Sequence, residues 1–99
     1  MALEVRWTKK ALNDFNHIQD YLQFTWGDLS VRKFTKKVFN FLDLLSVFPY
    51  MGTMENKDLN IRGFVITEQV TLFYQVRYHQ IILMRFYDNR QDPKSKKYK

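Results

Sequence analysis

The sequence has no cysteine, three glycines, two prolines and two histidines among its 99 residues. Without cysteine there is no disulfide, no thiolate metal site and no cysteine nucleophile. Small secreted domains are usually stapled, so a cytoplasmic setting is expected. Gly27, Gly52 and Gly63 stand apart, and none falls in a phosphate-cradling pattern. His17 lies on the polar side of a helical pattern and His79 in a predicted turn, which suits solvated residues better than metal ligands. Ser30, Ser46 and Ser95 have no triad context. No apolar run approaches the roughly 20 residues that span a bilayer. The opening MALEVRWTKK lacks the apolar stretch of a signal peptide. Neither cofactor nor metal nor membrane partner is expected.

What the chain does have is apolar, aromatic and basic character. Hydrophobic residues make up 45% and charged residues 26%, a balance that suits a folded core rather than disorder. The length suits one domain, residues 1–99, with a basic tail over 92–99. Aromatics reach 17%, more than a small core requires, so some are expected to face a partner. The net charge is +6 and the pI near 9.7, which favours an acidic or polyanionic partner. The excess is concentrated at the end. From Arg85 onward six cations stand against Asp88 and Asp92.

Leu3, Val5 and Trp7 alternate with Glu4 and Arg6, which predicts a short strand. Thr8 is placed to cap a helix whose apolar stripe is Ala11, Phe15, Ile18 and Leu22, ended by Gly27. Asp28 or Ser30 is placed to cap a second helix with the stripe Val31, Phe34, Val38, Phe41, Leu42 and Leu45, stopped by Pro49. The short connection predicts an antiparallel helical hairpin. PYMGTMENKD reads as loop. NIRGFVIT, VTLFYQVR and QIILMRFYD then predict three strands in an antiparallel meander, with turns near Glu68–Gln69 and Tyr78–His79. The fold class is α+β, with the helices on one face of the sheet.

Strict alternation assigns Val70, Leu72, Tyr74 and Val76 to the helix-covered face of the middle strand, and Ile82, Met84 and Phe86 to that of the last strand. Phe73, Ile81, Leu83, Arg85 and Tyr87 then fall on an uncovered face beside Thr71, Gln75 and Arg62. An apolar patch carrying cations suits a partner; the plain alternative is that the tail folds back over it. Arg85 interrupts an otherwise apolar strand, and its fixed donors suit phosphate or carboxylate. An internal pair with Asp88 or Glu68 is the competing reading. Asp14 and Asp20 read as a solvated face.

WTKKALNDFNHIQDYL, LLSVFPYMG, IRGFVI followed by TLFYQV, and IILMRFYDNRQDP, in that order and spacing, resemble the RelE/ParE superfamily of type II toxin–antitoxin toxins. The resemblance covers nearly the whole chain and leans toward the ParE-like branch, through DNRQDPKS after the last strand. It implies a cognate acidic antitoxin that wraps the toxin and covers its open face or sheet edge. Phe73, Leu83, Arg85 and Tyr87 would be its contacts. The ParE-like branch implies a non-enzymatic inhibitor of DNA gyrase or another replication target, contacted through Arg85, Arg90, Lys94, Lys96 and Lys97. Growth inhibition and plasmid stabilisation are the implied roles. The RelE-like branch implies a ribosome-dependent mRNA interferase, for which Arg62, Arg85, Arg90 and Tyr98 would serve. That branch commonly places an arginine where this chain has Thr71. A nucleic-acid-binding or interaction domain without toxicity is the reading from a different class.

Overall fold

The computed structural model describes residues 2–89. The basic tail and the candidates Arg90, Lys94, Lys96, Lys97 and Tyr98 lie outside the described residues. Strand β1 (Glu4–Trp7) leads into helix α1 (Lys9–Trp26) and helix α2 (Asp28–Val47). Strands β2 (Thr53–Asn56), β3 (Ile61–Val65), β4 (Val70–Arg77) and β5 (Gln80–Asp88) follow. They form one five-stranded sheet in the order β1-β5-β4-β3-β2. Neighbours from β2 to β5 are antiparallel, while β1 joins β5 in parallel, so the helical hairpin is part of the crossover between them. The architecture is the predicted α+β one, with four strands after the helices instead of three. The additional strand, β2, falls within the stretch PYMGTMENKD expected as loop: its residues do not alternate in hydropathy, and pairing to β3 makes it a strand. Among the described residues no helix is long and apolar enough to cross a membrane.

Local chemistry accounts for the helix boundaries. The Thr8 hydroxyl accepts the Ala11 N–H at 3.1 Å, satisfying a donor that the first turn of α1 leaves free. The same hydroxyl donates to the Leu83 carbonyl at 2.6 Å, which fastens the start of α1 to β5. Gly27 takes φ 94°, a value open to glycine, and its N–H returns to the carbonyls of Leu22 and Gln23. That one residue separates the two helices. The buried residues of α1 are Ala11, Phe15, Ile18 and Leu22, and those of α2 are Phe34, Val38, Phe41, Leu42 and Leu45, one face of each helix. Both face the sheet residues Leu72, Tyr74, Val76, Ile81, Leu83 and Phe86 in a single core.

Strand β5 departs from strict alternation. Phe73 is opposite Arg85 and Tyr74 is opposite Leu83, so Met84 is an extra residue, a β-bulge. One added residue exchanges the faces of everything beyond it. Ile81 and Leu83 therefore face the helices together with Phe86, each 2% exposed or less, while Ile82 and Met84 are half-buried. The sequence-based assignment of Ile81 and Leu83 to the uncovered face is corrected, as is that of Ile82 and Met84 to the core. In β4, which has no extra residue, Val70, Leu72, Tyr74 and Val76 are all buried as expected.

Tyr74 also secures the loop after α2. Its hydroxyl donates to the Pro49 carbonyl at 2.9 Å and accepts the Gly52 N–H at 2.9 Å. Burial raises its pKa above the ordinary 10.0, against the lowering effects of the Gly52 N–H and of Arg62. A proton held more tightly in the folded state stabilises the fold fully below the unfolded phenol's pKa, and that contribution is lost as pH rises through the raised value. Tyr74→Phe should cost roughly 1–3 kcal/mol in urea unfolding near neutral pH, because it strands a buried N–H. The fall in wild-type stability above about pH 10 should be shallower in this variant.

Candidate functional site

The hydrogen-bonding needs of the β5 backbone organise the candidate site. β1 pairs with Gln80 to Leu83 and then ends. Past Leu83, no strand lies beside this side of β5 among the described residues. α1 crosses here instead, held by an aromatic cluster drawn from four elements. Trp7 of β1 stacks on Phe86 of β5 at 5.5 Å between centroids, and Phe15 of α1 packs against both. Phe39 of α2 closes the cluster against Trp7 and Phe15. With Phe15 fixed there, Asp14 is held at the edge of β5.

The Asp14 carboxylate accepts the Phe86 N–H at 3.1 Å, replacing the missing strand at that position. It also accepts Arg85 Nε at 2.6 Å and Nη2 at 3.3 Å. Hydrogen bonding to Asp14 is the main reason the Arg85 pKa lies above its ordinary value, against the desolvation of its partly buried position. The guanidinium carbon also sits 4.8 Å from the centroid of the Tyr87 ring. Arg85 is thus paired within the chain, but with Asp14 rather than with Asp88 or Glu68. Its head is held in place and it remains a quarter exposed. Asp14, His17, Arg85, Tyr87 and Asp88 line a small polar cavity of about 180 Å³ at this edge. His17 itself is exposed.

The side of the sheet away from the helices is partly closed by its own residues. Phe73 is on that side, as expected from alternation, yet it is 2% exposed. Its ring meets Tyr87 edge-on at 5.8 Å and lies over Gly63, its partner across β3. A Cβ added at Gly63 would come within 3.1 Å of the Phe73 ring, so the glycine is what lets the ring lie there. Phe73 and Leu83 therefore do not offer side chains to a partner: the first is covered by Tyr87 and β3, the second is in the helix-side core. Val65, 60% exposed, and half-buried Thr71, Gln75, Arg85 and Tyr87 remain accessible on this side. Thr53, Glu55, Gly63, Val65, Thr71 and Phe73 border a shallow hollow of about 420 Å³.

Arg62 is not part of this assembly. It is in register with Tyr74 and not with Phe73, and its Nη1 donates to the carbonyls of Gly52 at 2.8 Å and Tyr50 at 3.2 Å. Its guanidinium lies 5.1 Å from the Tyr50 ring centroid. Arg62 and Arg85 sit on strands separated by β4, roughly 10 Å apart in backbone position, and engage different partners. Among the described residues no three His, Asp or Glu side chains gather closely enough to hold a metal ion. Asp14 is the residue that sequence reasoning missed. It carries no local signal, since its partner is 71 residues away. A double-mutant cycle should make this visible. Asp14→Ala is expected to cost roughly 1.5–3 kcal/mol in urea unfolding, from the loss of hydrogen bonds to a charged group. Arg85→Ala should cost less, because Asp14 would keep the Phe86 N–H, and the pair should show a non-additive coupling energy.

The model of the family described as ParE toxin of type II toxin–antitoxin system, parDE, matches residues 5–93. No curated protein matches the chain significantly in sequence. Among solved structures, the fold is similar to a chromosomal ParDE toxin–antitoxin system from P. aeruginosa, with TM-score 0.73 and 17% identity over 88% of this chain and 96% of that one. It is also similar to a YoeB/ParE toxin from Agrobacterium tumefaciens, with TM-score 0.61 and 14% identity over 87% and 98%. A copper-bound mutant toxin from Helicobacter pylori gives TM-score 0.56 and 21% identity over 91% and 98%. At these identities the solved structures speak for the fold, while the family model covers most of the sequence. The chain belongs to the family of ParE toxins of type II toxin–antitoxin systems.

Proposed function

We propose that the chain is a ParE-like toxin that inhibits DNA gyrase or another replication target by protein–protein contact and is neutralised by a cognate acidic antitoxin. The family match over residues 5–93 carries this reading. The arrangement of the arginines supports binding over RNA cleavage. Charge stabilisation of a scissile phosphate requires cations aimed at one point. Here Arg62 is committed to loop carbonyls and Arg85 to Asp14, two strands apart.

The antitoxin contacts are assigned to the accessible rim of the sheet, Val65, Thr71, Arg85 and Tyr87, around the hollow above Gly63 and Phe73. Leu83 is withdrawn from them, and Phe73 contributes the floor of the hollow. Arg90, Lys94, Lys96 and Lys97 are assigned to the target together with Arg85. The +6 net charge suits an acidic partner, since complementary charge speeds encounter and suppresses wrong partners.

Expression of the chain alone should arrest growth with DNA-damage signalling, and co-expression with an adjacent acidic reading frame should relieve it. Purified chain should inhibit gyrase supercoiling in vitro. Immediate loss of translation with cleaved messages, mapped by primer extension, would instead establish the interferase reading.

A further inference from the structure

A groove of about 300 Å³ runs between the C-terminal end of α1, α2 and the β3–β4 turn, lined by none of the residues of the Asp14–Arg85 pair. Its floor is apolar and buried, made by Leu22, Phe34 and Val70. On one wall Ser30, Lys33 and Lys37 follow each other at helical spacing along α2. Thr67 and Gln69 form the opposite wall, and Trp26, 67% exposed, stands at the end. Beyond it the tip of the hairpin exposes Phe24 by 93% and Leu29 by 63%.

The charge around the groove is one-sided. α2 carries exposed Arg32, Lys33, Lys36 and Lys37, and no acid between Asp28 and Asp43. None of the four has a carboxylate within ion-pair distance among the described residues. Asp20, Asp28 and Glu68 are the acids on the neighbouring segments. An apolar floor below two lysines on a shared helical stripe asks for two things at once: an apolar side chain to fill the floor and carboxylates one turn apart to meet Lys33 and Lys37.

We propose that this groove is a second docking site, distinct from the sheet face, for an acidic amphipathic helical segment of a partner protein. Its apolar stripe covers Leu22, Phe34, Val70 and the exposed Trp26, while its carboxylates pair with Lys33 and Lys37. Nucleic acid would answer the cations but leave the apolar floor and the hairpin tip unmatched. A bilayer surface would reach the tip but not the floor, which is recessed between two walls. The proposal rests on the groove and does not depend on the identity of the toxin's target.

Trp26 supplies the readout. The full chain is titrated with a synthetic helical peptide carrying Glu and Leu on opposite faces, with Trp emission followed at low and high salt. Emission should shift to the blue and the affinity should fall with salt. The double reversal K33E/K37E should weaken binding about tenfold or more. Trp26→Phe should abolish the spectral response while the peptide still binds by anisotropy, which separates Trp26 from Trp7. The same peptide with Lys in place of Glu should not bind. All three positions are surface ones, and circular dichroism of each variant will show a retained fold. The proposal is overturned if the wild-type chain does not respond, or if K33E/K37E binds the peptide as tightly as the parent. It is equally overturned if a single-stranded oligonucleotide, or phosphatidylglycerol vesicles, compete for these residues more tightly than the peptide does.

Discussion

A sheet edge cannot leave its backbone donors dry, and that requirement shapes the functional end of this molecule. β1 supports β5 for four residues and then turns into α1. Thr8 makes the turn possible by acting in both directions, capping the helix and donating to Leu83. One turn and a half later Asp14 takes over from the absent strand by accepting the Phe86 N–H. The bulge at Met84, the aromatic cluster around Trp7 and the fixed position of Arg85 all converge on this short stretch of edge. The one residue whose charge breaks the apolar run of β5 is therefore also the one that helps to close it.

The helices were legible because their information is local. A stripe at helical spacing, a Thr before it and a Gly after it contain everything needed to place α1; the stripe of α2 and Pro49 place that helix too, although Gly27, and neither Asp28 nor Ser30, stands at its N-cap. β4 was legible too, because an unbroken alternation names its own faces. β5 was not, since a bulge is a property of two strands, and nothing in IILMRFYD marks Met84 as the extra residue. The consequences for the candidate site were specific. Leu83 moved into the core and Phe73 came to be covered by Tyr87, so the vacant apolar face inferred from alternation is smaller and more polar than expected. Asp14 shows the opposite failure: a residue that looks like solvated helix surface from its neighbours is committed by a partner from the far end of the chain.

Family membership and geometry bear on different questions. The family model establishes a ParE toxin. The structure adds that Arg62 and Arg85 are already engaged, Arg62 in bracing the loop after α2 and Arg85 in closing β5. Cations that brace a scaffold do not need to move when a partner arrives, which suits a protein that works by presenting a surface. Arg32, Lys33, Lys36 and Lys37 of α2 have no ion-pair partner among the described residues, and they give the hairpin its own electrostatic identity.

Gly27 is the whole connection between two long helices. A joint of a single residue, bonded back to the preceding turn, has no slack with which to let the arms part or slide. The hairpin therefore behaves as a stiff staple, and its tip meets whatever it touches already shaped, with little freedom left to surrender on contact. Lengthening that joint by even a few residues would leave every buried side chain in place and still change the molecule, turning a firm edge into a yielding one.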